Sequence, residues 1–298
     1  MPSTEAHVIT EVPVAEADAG PYGITVGPDG ALWFTLVHAG RIGRLTPYGA
    51  CEQYALDSAD CGPTVITPGP DGALWFTRYR DHRIGRITTD GQAVSFAVPT
   101  AEGGPFGIAA AADDALWFTL TNADRIGRIT TDGQVTEFPL PVDHAFPSAI
   151  TAGPDGALWF TLNQGNAIGR ITLDGEVTLH PLPTPQAAPV GLSAGADGKL
   201  WFVEIGAGQV GHIDLDGAIT EFPLPDRSAR PHAITVDSAG TCWFTQWAGN
   251  SVGSITADGR IEEYALPSPG SEPHGLAVGV DGALYVALET GAVARLKV

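Results

Sequence analysis

Positive charge is scarce in this chain. Lys199 and Lys297 are its only lysines, and Lys plus Arg total 15 against 34 Asp plus Glu, for a formal net charge of −19. A surface this acidic repels phosphate backbones, so nucleic acid is not an expected partner. Attraction of a cation is one reading of the excess, and a well-hydrated surface is the simpler one. Cysteine is scarce too. Cys51, Cys61 and Cys242 are odd in number and far apart, which suits neither a disulfide framework nor a zinc site. Free, buried or half-buried thiols in a reducing cytoplasm are expected. No run approaches the roughly 18 apolar residues of a membrane helix, so no membrane partner is expected. The first twenty residues lack the basic start and apolar centre of a signal peptide. A cytoplasmic monomer is the resulting expectation.

What the chain has in abundance is repetition. The aromatic of a recurrent Ala-Leu-Trp-Phe-Thr element falls at Trp33, Trp75, Trp117, Trp159, Trp201 and Trp243, with Tyr285 as its seventh member, every step being 42 residues. A proline keeps the same interval at Pro21, Pro63, Pro105, Pro147, Pro189, Pro231 and Pro273. Seven times 42 gives 294 of the 298 residues, so a single domain spanning 1–298 is expected rather than two.

One copy reads as four short strands. Residues 23–26 are β-prone, and Gly27-Pro28-Asp29-Gly30 is a turn in which proline presets one dihedral and glycine accepts positive φ. Residues 31–35 are apolar on both faces, as in a strand covered on both sides. Residues 41–46 form a third strand, and 52–56 a fourth, more polar one. Four antiparallel strands per repeat of about 40 residues is the mark of a propeller blade. The fold class is therefore all-β, a seven-bladed β-propeller. The seventh copy has no fourth strand of its own after residues 293–296. Residues 8–13 have the composition of one, so the N-terminal strand is expected to close the last blade and cover its edge.

Alternating strands put the Gly-Pro-Asp-Gly turns on one face of the ring. Asp29, Asp71, Asp155 and Asp197 line that face; turn chemistry accounts for them without a calcium ring. The opposite face varies between copies. The residue after the repeat proline is Tyr22, Thr64, Phe106, Ser148, Val190, His232 and His274, and these should ring the mouth of the central channel. The residue before it is Gly20, Gly62, Gly104, Phe146, Ala188, Arg230 and Glu272. In an extended chain Glu272 and His274 share a side. Glu289 lies in the loop between the second and third strands of the last copy, which is one residue short there. Two glutamates and two histidines converging on a channel mouth suit a hard divalent cation with an acid or base, and solvated rim residues are the competing reading. Tyr22, Phe106 and Trp247 offer aromatic surface on the same face for a substrate, or pack between blades.

Arg230-Pro231-His232-Ala233-Ile234-Thr235 and Glu272-Pro273-His274-Gly275, followed by Glu289, resemble the motifs of the streptogramin B lyases. The resemblance covers all seven repeats. It implies a Mg²⁺-dependent lyase that opens the ester of cyclic depsipeptide antibiotics by elimination. On matching positions it implies Glu272 and Glu289 as Mg²⁺ ligands, His274 as general base and His232 as a substrate contact. The family often has glutamate after Trp-Phe-Thr. Here most of those positions are Leu36, Arg78, Leu120 and Leu162, with Gln246 in copy six, changes expected to alter the rim around the substrate. A propeller used as a binding scaffold and a metal-dependent lactone hydrolase remain the alternatives.

Overall fold

The computed structural model describes residues 8–297; residues 1–7, which form part of the stretch read for a signal peptide, and Val298 lie outside them. Among the described residues all regular structure is β, arranged as seven four-stranded antiparallel sheets. Blade 1 runs Pro21–Val26, Leu32–Leu36, Arg41–Leu45, Cys51–Ala55, and its strands pair in that order. The first strands of successive blades pack side by side, and Pro273–Val278 of blade 7 packs against Pro21–Val26 of blade 1, closing the ring. The chain is a seven-bladed propeller.

Three parts of the repeat explain why this sequence makes blades. The second strands of blades 1 to 6 are buried along their whole length, as their two apolar faces require. Trp33, Trp75, Trp117, Trp159 and Trp201 are fully or almost fully buried. Each indole removes on the order of 200 Å² from water, worth about 5 kcal/mol before entropy is counted. Phe34 sits opposite Gly43 on the neighbouring strand, and a Cβ on Gly43 would lie 2.1 Å from the ring. The glycine of each Ile-Gly-Arg is thus the space its blade's phenylalanine fills. In blade 7 both change together, to Val286 opposite Ala294. At the turn face Asp29 accepts from Trp33 Nε1 at 3.0 Å and from Arg44 Nε at 2.8 Å. Burial pushes the other way, but these bonds hold its carboxyl below the usual range. Asp71 and Asp155 repeat the arrangement, so these aspartates are structural.

The closure is as the sequence suggests. Ile9–Pro13 pairs antiparallel with Ala292–Leu296, from Ile9 opposite Leu296 to Pro13 opposite Ala292. It also copies a second feature of a fourth strand. Glu137 and Glu221 each accept two bonds from a threonine of the inter-blade loop that leads into their own blade, Thr100 N and Oγ1 or Thr184 N and Oγ1. Glu11 does the same for Ser268, at 3.1 and 2.5 Å. Cys61 and Cys242 are buried; Cys51, expected to be at least half covered, is exposed because it opens a solvent-facing outer strand. Deleting residues 1–14 should bare the edge of the seventh blade and cost several kcal/mol, lowering the melting temperature by roughly 5–10 °C. Thermal unfolding of the truncated protein checks this, and an unchanged midpoint would refute it.

Candidate functional site at the channel mouth

Each blade builds the mouth in the same way. The first strand begins at the repeat proline, then bulges before it resumes regular pairing, as between Pro21 and Ile24. A bulge re-aims the residue it carries, here the residue after the proline. The residue before the proline is left-handed in all seven blades: φ is 69° at Gly20, 59° at Gly62, 61° at Gly104, 54° at Phe146, 52° at Ala188, 52° at Arg230 and 50° at Glu272. Its carbonyl accepts from the first loop residue after the second strand, Val37 N to Gly20 O in blade 1 and Glu289 N to Glu272 O in blade 7. Glu289 therefore occupies the place held elsewhere by Val37, Tyr79 or Trp247. Glu272 reaches the cluster through this left-handed corner, not through an extended chain, which corrects the geometry expected from the spacing.

Glu272, His274 and Glu289 come together. One potential ligand atom of each lies within 4.8 Å of the others. Glu289 Oε2 is 2.6 Å from His274 Nε2, and Oε1 is 2.6 Å from Nε2 of His38. The bond from His274, then that from His38, outweigh burial and hold the Glu289 carboxyl at about 2. An ionised carboxylate only accepts, so both histidines present an Nε2 hydrogen to it. His274 is almost wholly buried and its Nδ1 has no partner among the described residues. Glu272 is exposed, and no described donor reaches its carboxylate. Two carboxylates, one of them uncommitted, fit a hard cation that keeps part of its water shell.

Tyr22 and His232 flank the cluster. The Tyr22 ring lies 4.4 Å from that of His274, and its hydroxyl is 3.3 Å from His232 Nε2. The His232 and His274 rings are 4.8 Å apart. Burial, then the charge of His274, push the His232 imidazole down to about 3, so it is neutral across the physiological range. Burial and the nearby Glu289 charge push the Tyr22 phenol up, so it stays protonated. Phe106 meets Tyr22 edge-on at 6.2 Å and Tyr79 at 6.5 Å. Below lies a central cavity of about 340 Å³ whose lining includes Tyr22, Phe106 and His232.

Trp247 is on the same face but its ring is covered by Arg230 at 5.8 Å, and it is not among the residues lining that cavity. The positions after Trp-Phe-Thr do not shape the rim, contrary to expectation. Leu36, Arg78, Leu120, Leu162 and Gln246 are buried, because each pairs with its blade's proline, before the bulge, and points between blades. Sequence reasoning missed His38, Arg80 and Tyr79. All three lie in the loops of blades 1 and 2 that correspond to the one carrying Glu289 in blade 7, and aligning that loop across copies would have found them.

A family model described as the virginiamycin B lyase family matches residues 7–296. The chain is 62% identical over 50 residues to virginiamycin B lyase of Saccharopolyspora erythraea, a stretch covering 17% of each protein. Among solved structures, selenomethionine-substituted virginiamycin B lyase from Staphylococcus aureus superposes with a TM-score of 0.94 at 41% identity, covering 98% of this chain and 99% of that one. A catalytically inactive histidine-to-alanine variant of the same enzyme with quinupristin gives 0.94 at 40% identity over the same shares.

A non-glycine residue in the left-handed region costs on the order of 1–3 kcal/mol. Glycine returns part of that as unfolded-state entropy, about 0.5–1 kcal/mol. Glu272→Gly should therefore raise the melting temperature of the metal-free protein by a few degrees, about 1 kcal/mol net, while removing the uncommitted carboxylate. A thermal scan checks it; a clear drop would mean the Glu272 side chain contributes packing that is not visible in its contacts.

Proposed function

Because the chain belongs to the virginiamycin B lyase family, we propose that it opens the ester of a cyclic depsipeptide of the type B streptogramin class by elimination. Glu272 and Glu289 would hold Mg²⁺, and His274 would be the base. The observation that carries this reading is the meeting of Glu272, His274 and Glu289 at the mouth. The quinupristin bound by the S. aureus relative supports the substrate class. When bound, the cation supplies positive charge against the enolate oxygen that forms as the α proton leaves.

The chain's own groups do the rest. His274, as its neutral imidazole, takes the proton α to the ester's neighbouring carbonyl. The C–H electron pair becomes the new double bond, the bond from the β carbon to the ester oxygen breaks, and the carboxylate departs. Glu289, 2.6 Å from Nε2 of His274, then stabilises the imidazolium that results. His232 and Tyr22 are both neutral, so they offer hydrogen bonds to the substrate's polar groups without a competing charge. Phe106 and Tyr22 present aromatic surface to its apolar side chains.

Quinupristin incubated with the protein, with and without EDTA, tests the reading by mass spectrometry. Elimination leaves the mass unchanged on ring opening, hydrolysis adds one water, and chelation should stop either. His274→Ala should lower kcat by about 10²-fold or more while substrate still binds. Glu272→Gln and Glu289→Gln should each lose activity most strongly at limiting magnesium. Full activity in either variant would remove it from the metal site.

The acidic limb of the pH–rate profile separates the two histidines. A base must be neutral, so activity falls as pH falls through its pKa. His232 takes up its proton only near pH 3, below that limb. His232→Gln should therefore lower activity yet leave the midpoint of the limb in place. A midpoint that disappears with His232 would reverse the two roles.

A further inference from the structure

We propose that His38, set in one tautomer by Arg80, is a positioning residue that fixes the carboxylate of Glu289 at the mouth. The inference deepens the reading above and rests on Glu289 and His274 acting there. His38 lies in the loop between the second and third strands of blade 1, and Glu289 in the same loop of blade 7. Their 2.6 Å contact crosses the seam where the ring closes. Glu289 then has one oxygen on His38 and the other on His274. A glutamate held at one oxygen can still swing about its last torsion. Held at both, it keeps its plane as well as its place.

Arg80, in the corresponding loop of blade 2, stands 3.3 Å from His38 Nδ1 through Nη2. A guanidinium has no acceptor, so Nδ1 must offer its lone pair and the ring hydrogen must sit on Nε2. That is the hydrogen Glu289 needs. The chain Arg80, His38, Glu289, His274 thus draws on three blades, and every bond in it has a donor and an acceptor of fixed sense.

The backbone is shaped for these two side chains. A Cβ on Gly20 would lie 2.5 Å from His38 Cδ2, and one on Gly62 would lie 2.8 Å from Arg80 Cγ. The left-handed position that carries Glu272 in blade 7 is left bare in blades 1 and 2, and the loop side chains lie over it. His38 is 41% exposed in its side chain. An exposed pair contributes little to stability, so its alignment serves Glu289, and variants at both positions should fold.

Removing a group that orients a metal-binding side chain usually costs 10–100-fold in activity or metal affinity. His38→Ala should lower kcat by about that factor, weaken Mg²⁺ binding by calorimetry, and leave KM within about twofold. His38→Gln, whose amide Nε2 can donate to the same oxygen, should recover most of the loss. Arg80→Met should cost up to about 10-fold alone and nothing further in the His38→Ala background, because it acts through that ring. Nitrogen-15 NMR of the metal-free protein should show His38 with its hydrogen on Nε2, and a mixed tautomer in Arg80→Met. Multiplying losses for the two positions, a loss confined to KM, no recovery by His38→Gln, or an Nδ1-protonated ring in the parent protein would each overturn the proposal. If the parent protein failed to open the depsipeptide, the proposed function would fall, and the NMR arm would still decide whether Arg80 sets the ring of His38.

Discussion

In five of the seven blades one threonine hydroxyl joins the blade to the next. Thr35 Oγ1 accepts from Gly23 N, freed by the bulge in its own blade, and donates to Thr64 O in the next blade at 2.6 Å. Thr77, Thr119 and Thr161 reach Phe106 O, Ser148 O and Val190 O in the same way. The carbonyls they hold belong to the residues after the proline, which are the mouth residues. A buried hydroxyl shared by a donor and an acceptor adds about 1 kcal/mol net per bond, and losing it would leave both partners unsatisfied. The bond thus ties the depth of each mouth side chain to the spacing of the blades. His274 is held in this manner by Thr245 at 2.8 Å. Two blades lack the hydroxyl, at Val203 and Ala287. Their successors carry His232 and Tyr22, the two mouth residues whose side chains bond to each other instead.

Much of this was legible beforehand. The 42-residue period exposes the blades because every blade must solve the same packing problem, with Trp and Phe filling one interface and glycine yielding to the phenylalanine ring. The closing strand was readable from composition because it does the work of a fourth strand down to Glu11. The left-handed corner was not, since a residue before proline ordinarily avoids the helical region and prefers an extended one. Its trace was the run of glycines at 20, 62 and 104. Missing it led to a wrong account of how Glu272 approaches His274. It also concealed that Leu36 and its equivalents pair with proline ahead of the bulge and point between blades. His38 and Arg80 escaped notice because single-sequence reasoning weighs motifs, and these two lie where copies differ in both length and type.

A strongly displaced ionisation is not by itself a mark of this site. Glu204 is buried in blade 5 with one oxygen unpartnered and the other 2.5 Å from Gln209. Burial, then the negative charge of Glu221, push its carboxyl up to about 8, so it is protonated near neutrality. It occupies the same place as Leu36 and Arg78, between blades. Arg78 meets that place with ion pairs to Asp57 and Asp81, and Gln246 with Ser251 and Glu263. These are three ways of making a buried polar side chain tolerable. Geometry separates Glu204 from Glu289: Glu289 lies in the mouth loop facing its partners across the seam, and Glu204 lies one residue earlier in its blade, in the strand.

That one-residue difference shows how a sevenfold scaffold acquires a single site. The backbone at the mouth is nearly the same seven times, so each position offers the same opening for a side chain. The strands fix those openings to within the tolerance of the blade packing. Function then needs only that neighbouring openings receive complementary groups. Blades 6, 7 and 1 receive His232, then Glu272, His274 and Glu289, then Tyr22 and His38. The ring closes between the last two of these blades, so residues from opposite ends of the chain meet at one carboxylate. Assembling the site therefore requires the ring to be closed, and the covering strand at residues 9–13 secures the same blade that carries Glu272, His274 and Glu289.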